Sequence, residues 1–224
     1  MFKWITTTIL TSLLITSTAM AFEVDESKIT TPDEAIAALK AGNERFLSGN
    51  MINQDFGKQI EKTSGGQNPY ATVLSCLDSR IPTEIVFDQG IGDIFVGRVA
   101  GNVEDINMVG SFEFAAALKG VKAIVIMGHT ACGAVGGACQ NAKLGNLTLL
   151  LDEIQPAVEL VKAQHPNENV CDAPLVDDIS EANVVKTIKD IRAKSPVIEQ
   201  LEKEGKVKLV GAMYDITTGK VRFL

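Results

Sequence analysis

Two short segments of the sequence contain side chains that can do chemistry together. Cys76, Asp78 and Arg80 lie within five positions, directly after an apolar run; His129 and Cys132 follow a second apolar run, and His129 lies 53 positions after Cys76. Two cysteines and one histidine suit a tetrahedral zinc ion. Because three protein ligands leave the fourth position open, the pattern is typical of a catalytic zinc site.

Three apolar runs are predicted to be buried strands of a parallel sheet. Ala71–Ser75, 94–96 and 123–127 show no alternation with polar residues, as expected for strands that are covered on both faces. The carboxyl ends of parallel strands lie at one edge of the sheet, where ligands of open α/β sheets bind. We therefore expect Cys76 to lie close to His129 and Cys132.

The rest of the chain alternates predicted helices and strands. Thr31 and Glu34 form a capping pair around Pro32, which predicts a helix to about Phe46, and the polar, glycine-rich residues 49–69 are predicted to form a loop. The other predicted elements are helices at 103–119, about 146–164 and 177–203, and strands at 206–213 and 221–224. The pattern predicts an α/β fold with a mostly parallel central sheet, flanking helices and an antiparallel C-terminal strand.

The first residues predict export. Residues 1–21 contain an early Lys3, a short apolar stretch and Ala19-Met20-Ala21, the small-x-small pattern of a signal-peptide cleavage site. We expect cleavage after Ala21, one domain over residues 22–224 and a periplasmic location. A membrane anchor is disfavoured, because threonines and serines leave the apolar run shorter than the roughly 20 residues of a membrane span.

Composition limits the partners. The 224 residues are 46% hydrophobic, enough for one sizeable core, and the formal charge is −7. The sequence has no Lys/Arg-rich patch, no basic face interleaved with aromatic residues and no second hydrophobic span. Nucleic acid and, after signal cleavage, a membrane are therefore not expected as partners, and a small-molecule substrate is.

Other interpretations of the motif residues stay open at this point. Cys76 and Cys132 could be buried thiols or a disulfide, with His129 a hydrogen-bonded core residue. A structural zinc site would need a fourth ligand, for which Cys139 is the nearby candidate. A phosphate-binding loop at 128–137 is disfavoured because no G-x-x-x-x-G-K-[ST] occurs, and a zinc deaminase because neither H-x-E nor P-C-x-x-C occurs.

The sequence resembles the β-class carbonic anhydrases through Cys76-x-Asp78-Ser79-Arg80 and His129-x-x-Cys132-Gly133. The resemblance implies Zn²⁺ held by Cys76, His129 and Cys132, and reversible hydration of carbon dioxide to bicarbonate by zinc-bound hydroxide. It also implies an obligate homodimer with the site near the subunit interface, while the pairing of dimers into tetramers stays open. The ligands alone do not exclude a hydrolase of carbon disulfide or carbonyl sulfide on the same scaffold.

The resemblance also implies roles for Asp78 and Arg80. The aspartate that matches Asp78 accepts a hydrogen bond from the hydroxide, and the arginine that matches Arg80 keeps this carboxylate ionised and off the metal. In a closed site Asp78 would instead be the fourth zinc ligand. The alternative for both residues is a simple salt bridge at a strand end, which is worth little at a surface.

Three further positions match the family as substrate-binding residues. Gln67 resembles a glutamine that helps hold substrate or bicarbonate, with a simple loop residue as the alternative, and Phe95 and Val99 resemble the apolar wall around carbon dioxide. Phe114 stands where many members carry a tyrosine that reaches into the neighbouring subunit's pocket. A hydroxyl role at that position is therefore unfilled.

One departure from the family concerns regulation. Members that bind bicarbonate at a non-catalytic site and shut down carry a tryptophan three residues before the first zinc cysteine, where this sequence has Val73. Arg98 matches the arginine of that site, but alone it is expected to support the loop. The resemblance therefore implies the open-site subtype.

Cys139 and Cys171 match no metal position of the family. In an oxidising compartment they could form a disulfide between the helix after Cys132 and the segment before Pro174. Two unpaired buried thiols are the alternative, and the sequence favours neither.

Overall fold

The computed structural model describes residues 28–224, so the predicted signal segment, residues 1–21, lies outside the described residues. Its centre is a five-stranded sheet in the order β2-β1-β3-β4-β5. The strands are β1 Ala71–Ser75, β2 Ile94–Arg98, β3 Ala123–His129, β4 Lys208–Tyr214 and β5 Val221–Phe223. The first four are parallel and β5 is antiparallel to β4. The predicted α/β fold class is confirmed.

Helices flank this sheet. They are α1 Pro32–Ser48, α2 Phe56–Thr63, α3 Thr83–Val86, α4 Ile106–Glu113, α5 Gly133–Cys139, α6 Leu147–Asp152, α7 Gln155–Gln164, α8 Leu175–Lys194 and α9 Pro196–Lys203. A 3₁₀ turn lies at Ala100–Asn102 and a π-helical turn at Phe114–Leu118. Among the described residues, no helix is both long enough and apolar enough to cross a membrane.

Alternate residues of the central strands enter two separate cores. Val73 and Val125 pack with residues of α1, α5 and α7 on one face, whereas Leu74 and Ile124 pack with α4, α8 and α9 on the other. Both faces of β1 and β3 are therefore covered, which explains why these strands read as uninterrupted apolar runs.

The helix that was predicted from its capping residues is present. The Thr31 hydroxyl accepts a hydrogen bond from the Glu34 amide at 3.3 Å, and the Glu34 carboxylate accepts one from the Thr31 amide at 2.9 Å. These bonds satisfy amide groups that the first helical turn leaves free. Helix α1 ends at Ser48, and Gly49, which follows it, adopts a left-handed conformation with φ 72°.

Several predicted boundaries are wrong. The expected loop 49–69 contains α2, and the expected helix 103–119 begins only after Asp105, whose side chain accepts a hydrogen bond from the Met108 amide at 2.8 Å. The expected helix 146–164 is two helices, α6 and α7, and the expected helix 177–203 is interrupted at Ser195. Pro196 disfavours helical backbone at the residue before it, Ser195. The Ser195 hydroxyl caps α9 by accepting a hydrogen bond from the Ile198 amide.

Cys139 and Cys171 form a disulfide with a Cα–Cα distance of 5.6 Å. Of the two alternatives that the sequence left open, the structure therefore has the bridge. It joins the last residue of α5 to the segment that leads into α8.

We predict that the double variant Cys139→Ser, Cys171→Ser is less stable. A disulfide constrains the unfolded chain and typically contributes about 2–4 kcal/mol to the free energy of unfolding. Denaturant unfolding of the oxidised protein and of the double variant measures the difference. Equal stability, or mass spectrometry that finds two free thiols at these positions, would contradict the prediction.

Candidate metal centre

The carboxyl edge of the sheet brings three metal-binding side chains together. Cys76 directly follows β1, His129 is the last residue of β3, and Cys132 is the residue that precedes the first turn of α5. All three are buried, and their ligand atoms lie within 4.8 Å of one another. The expected convergence of the two motifs is present, and the group could hold a metal ion.

The imidazole of His129 is oriented for binding through one nitrogen. Its Nδ1 lies 2.9 Å from the carbonyl oxygen of Thr130, so an N–H at Nδ1 donates to that carbonyl and Nε2 keeps its lone pair. Among the described residues, the fully buried Nε2 has no hydrogen-bond partner. A buried polar atom without a partner is unfavourable, and a metal ion at Nε2 would satisfy it.

The two thiols also favour a bound cation. The side-chain hydrogen bond between Cys132 and Cys76 lowers the pKa of Cys76 to about 4 and raises the pKa of Cys132. Two thiolates buried this close together repel each other, so a cation beside them is needed to stabilise both charges. Zinc binds both cysteines as thiolates, which fits this donor set.

The loop after β1 is held by Arg98 and Gly101. The guanidinium of Arg98 donates from Nε to the carbonyl oxygen of Cys76 at 3.1 Å and from Nη2 to the carbonyl oxygen of Asp78. The amide of Gly101 donates to Cys76 Sγ at 3.3 Å. Arg98 supports the loop as expected. Gly101 was missed, although a Gly-Asn pair after a strand signals a backbone turn.

Asp78 and Arg80 form a bidentate ion pair. Arg80 donates to Asp78 Oδ1 from its backbone amide at 3.0 Å and from Nε at 2.9 Å, and Nη2 lies 2.7 Å from Oδ2. The side chain of Asp78 is 16% exposed and that of Arg80 53% exposed. The hydrogen bonds from Arg80 hold the pKa of Asp78 well below its usual range, and the same contact raises the pKa of Arg80. The carboxylate thus stays ionised in neutral and mildly acidic solution.

The predicted substrate-binding residues lie at different places. Val99 follows β2 at the metal edge and is half-buried, whereas Phe95 lies within β2, with its ring centroid 6.2 Å from that of Phe114. Phe95 and Phe114 help to line a cavity of about 370 Å³. Gln67 is exposed and precedes β1, at the opposite edge of the sheet from Cys76. Within one chain, the fold therefore separates Gln67 from the metal ligands.

A parallel sheet with a buried Cys-His-Cys group at its carboxyl edge defines the class of protein as an α/β zinc enzyme. A family model described as carbonic anhydrase matches residues 71–221. With the structural relatives below, this match shows that the chain belongs to the β-class carbonic anhydrase family. It is a zinc-dependent enzyme of the lyase type that reversibly hydrates carbon dioxide.

Individual relatives agree with the family model. Carbonic anhydrase 2 of Mycobacterium tuberculosis is 36% identical over 194 residues, covering 85% of this chain and 92% of the relative. A carbonic anhydrase of Mycolicibacterium smegmatis is 33% identical over 198 residues, with the same coverage of both chains.

Solved structures show the same fold. The β-carbonic anhydrase CafA of Aspergillus fumigatus is similar with a TM-score of 0.68 at 29% identity, covering 84% of this chain and 90% of that chain. One of two tetrameric β-carbonic anhydrases from Sordaria macrospora matches with a TM-score of 0.64 at 30% identity, covering 75% and 90%.

We predict one zinc ion per chain, and loss of zinc in each of the variants Cys76→Ser, His129→Ala and Cys132→Ser. Each variant removes one of three donors, and two donors are too few for a tight site. Metal analysis of the purified proteins gives the stoichiometry, and the double variant Cys139→Ser, Cys171→Ser is the matched control that should keep its zinc. Full zinc content in any two ligand variants would remove those residues from the site.

Proposed function

We propose that Cys76, His129 and Cys132 hold the zinc ion of this carbonic anhydrase in an open site, with Asp78 and Arg80 as the catalytic pair. The observation that carries the proposal is the buried group of three ligand atoms within 4.8 Å, in which His129 Nε2 has no partner among the described residues. Zinc, when bound, lowers the pKa of water from about 15.7 to about 7 and so supplies hydroxide at neutral pH.

Asp78 would orient the attacking hydroxide by accepting its hydrogen bond. Oδ1 accepts two hydrogen bonds from Arg80 and Oδ2 accepts one, so Oδ2 retains a lone pair for a further donor. Because Arg80 binds both oxygens, it keeps the Asp78 carboxylate from coordinating the metal. This engagement, together with Val73 at the position of the regulatory tryptophan, supports the open-site subtype.

We infer that carbon dioxide meets an apolar wall that includes Phe95 and Val99. Both side chains are half-buried and belong to β2 or the residue after it, beside the strand that leads to Cys76. Gln67 lies at the other edge of the sheet, and we assign it to substrate binding only in the site of a second subunit.

A homodimer is the assembly that we propose. Apolar side chains near β2, including Phe56, Ile85 and Ile91, are exposed in the single chain and line a cavity of about 590 Å³ with Ile94. Exposed apolar groups of this kind mark interaction surfaces. Tetrameric β-carbonic anhydrases from Sordaria macrospora are among the similar structures. The mass of the assembly in solution distinguishes a dimer from a tetramer.

We propose export to the periplasm. The apolar stretch and the Ala19-Met20-Ala21 pattern in residues 1–21 support it, and so does the Cys139–Cys171 disulfide, because disulfides persist in oxidising compartments. Mass spectrometry of the protein recovered from the periplasmic fraction would locate the mature N-terminus after Ala21.

Stopped-flow hydration of carbon dioxide tests the catalytic pair. Asp78→Asn should keep its zinc but lose most of the activity, because an amide can donate where the carboxylate only accepts. Arg80→Ala should also be nearly inactive, because it frees the carboxylate to bind the metal. Lys203→Ala, an exposed ion-pair residue of α9, is the control for loss of a surface charge and should retain activity. Full activity in Asp78→Asn would refute its role.

The open-site subtype predicts a simple pH dependence. With Asp78 held by Arg80, activity should fall smoothly as pH drops, as one titration, and bicarbonate should not deepen the loss. The measurements are pH-rate profiles with and without bicarbonate, and a crystal structure of the zinc enzyme at neutral pH. A steep cooperative loss, or an Asp78 oxygen within about 2.0–2.2 Å of zinc, would contradict the open site.

A further inference from the structure

Helix α8 lies directly behind the strand that ends at His129. The helix packs against β3 and β4, and its approach to β3 is close. A Cβ atom built at Gly128 would lie 2.7 Å from Val184 Cγ2 and 3.4 Å from the carbonyl oxygen of Ser180. Because His129 follows Gly128 directly, packing against α8 constrains the strand end that presents the imidazole.

Asp177, in the first turn of α8, contacts the loop between two metal ligands. Its Oδ1 accepts a hydrogen bond from the amide of Ala131 at 2.8 Å. Ala131 lies between His129 and Cys132 and has φ of 52°, in the left-handed region that residues with a Cβ atom rarely adopt. The carboxylate therefore holds the link between two ligands in a conformation that the alanine disfavours.

Asn183, further along α8, contacts the loop that supports the third ligand. Its side chain is fully buried, and Nδ2 donates to the carbonyl oxygen of Gly101 at 2.8 Å. Gly101 in turn donates its amide to Cys76 Sγ at 3.3 Å. The peptide groups of Gly101 are thus bound on one side to the helix and on the other side to a ligand sulfur.

The side-chain oxygen of Asn183 indicates that this residue does more than fill space in the core. Among the described residues, Asn183 Oδ1 is buried without a hydrogen-bond partner, and so is Asn102 Nδ2 next to Gly101. Burial of an unpaired polar atom is unfavourable, whereas an apolar side chain of similar size would fill the space without that penalty. The bond to Gly101 is the contact that such a replacement would lose.

We propose that Asp177 and Asn183 are positioning residues for the zinc site. Asp177 fixes the loop between His129 and Cys132, Asn183 fixes the loop that donates to Cys76, and α8 holds the two loops relative to each other. Both residues act through the backbone of Ala131 and Gly101. The inference rests on the proposed zinc site and concerns how tightly the chain binds the metal and with what geometry.

Zinc affinity tests the proposal directly. The zinc enzyme is titrated with a chromogenic chelator, and thermal stability is measured beside it. Asp177→Ala and Asn183→Ala should each weaken zinc binding by about 10–100-fold, the effect of losing a residue that orients metal ligands. Asp177→Asn should stay close to the unmodified protein, because its amide oxygen still accepts from Ala131. Asp178→Ala, an exposed neighbour with the same change in charge, is the matched control and should keep full affinity.

A rescue variant separates positioning from folding. Glycine adopts positive φ without a Cβ penalty, so Ala131→Gly should restore most of the zinc affinity that Asp177→Ala loses. Cobalt-substituted protein gives an independent readout. The thiolate-to-cobalt absorption bands should shift in Asp177→Ala and Asn183→Ala and stay unchanged in Asp178→Ala.

The outcomes distinguish this inference from the proposed function. Zinc affinity and cobalt spectra that stay unchanged in Asp177→Ala and Asn183→Ala, with or without a loss of stability, would overturn the positioning role and leave the zinc site in place. An unmodified protein that binds no zinc would overturn the proposed site itself. Where an alanine variant does not fold, Asp177→Ser or Asn183→Ser takes its place, with the same expected losses and the same contradicting result.

Discussion

The parallel pairing of β1 with β3 is the constraint on which the rest of the site depends. The register sets Ser75 opposite Met127, so Cys76 and His129 leave the sheet at the same edge. β2 lies on the other side of β1 from β3, so the strand order reverses beside β1, next to these ligands. A slip of one residue would turn every side chain of β1 to the opposite face. The two cores that enclose β1 therefore also fix the position of the metal ligands.

The fold was predictable from the sequence wherever a segment contains a strong local signal. The uninterrupted apolar runs located β1 and β3, and the Thr31–Glu34 capping pair located α1, because burial on both faces and capping each leave a direct mark on the sequence. Helix α2 was missed because none of its residues is buried: its two apolar side chains, Phe56 and Ile60, are exposed and do not join the core. The break at Ser195 was missed because the apolar spacing continues across it, although Pro196 carries the signal for a new helix.

The metal ligands could be inferred from sequence because their residue types are rare in this chain and stand at strand ends. The sequence also suggested the pairing of Asp78 with Arg80, which lie two positions apart. The contacts of Asp177 and Asn183 could not be inferred, because they join these side chains to backbone groups 46 and 82 positions away, respectively. A backbone amide or carbonyl has no residue type, so such a contact depends on the packing of α8 and leaves no motif.

Helix α5 is a short segment with a cross-linking cysteine at each end. Its first turn follows Cys132, a ligand in the proposed zinc site, and its last residue, Cys139, is bonded to Cys171. Zinc at Cys76 and Cys132 would close the loop before α5, whereas the disulfide closes the loop from Cys139 to Cys171 after it, so the two closures constrain separate segments of the chain. Reduction of the disulfide is therefore expected to lower the stability of the segment between α5 and α8 while the metal ligands before α5 stay in place.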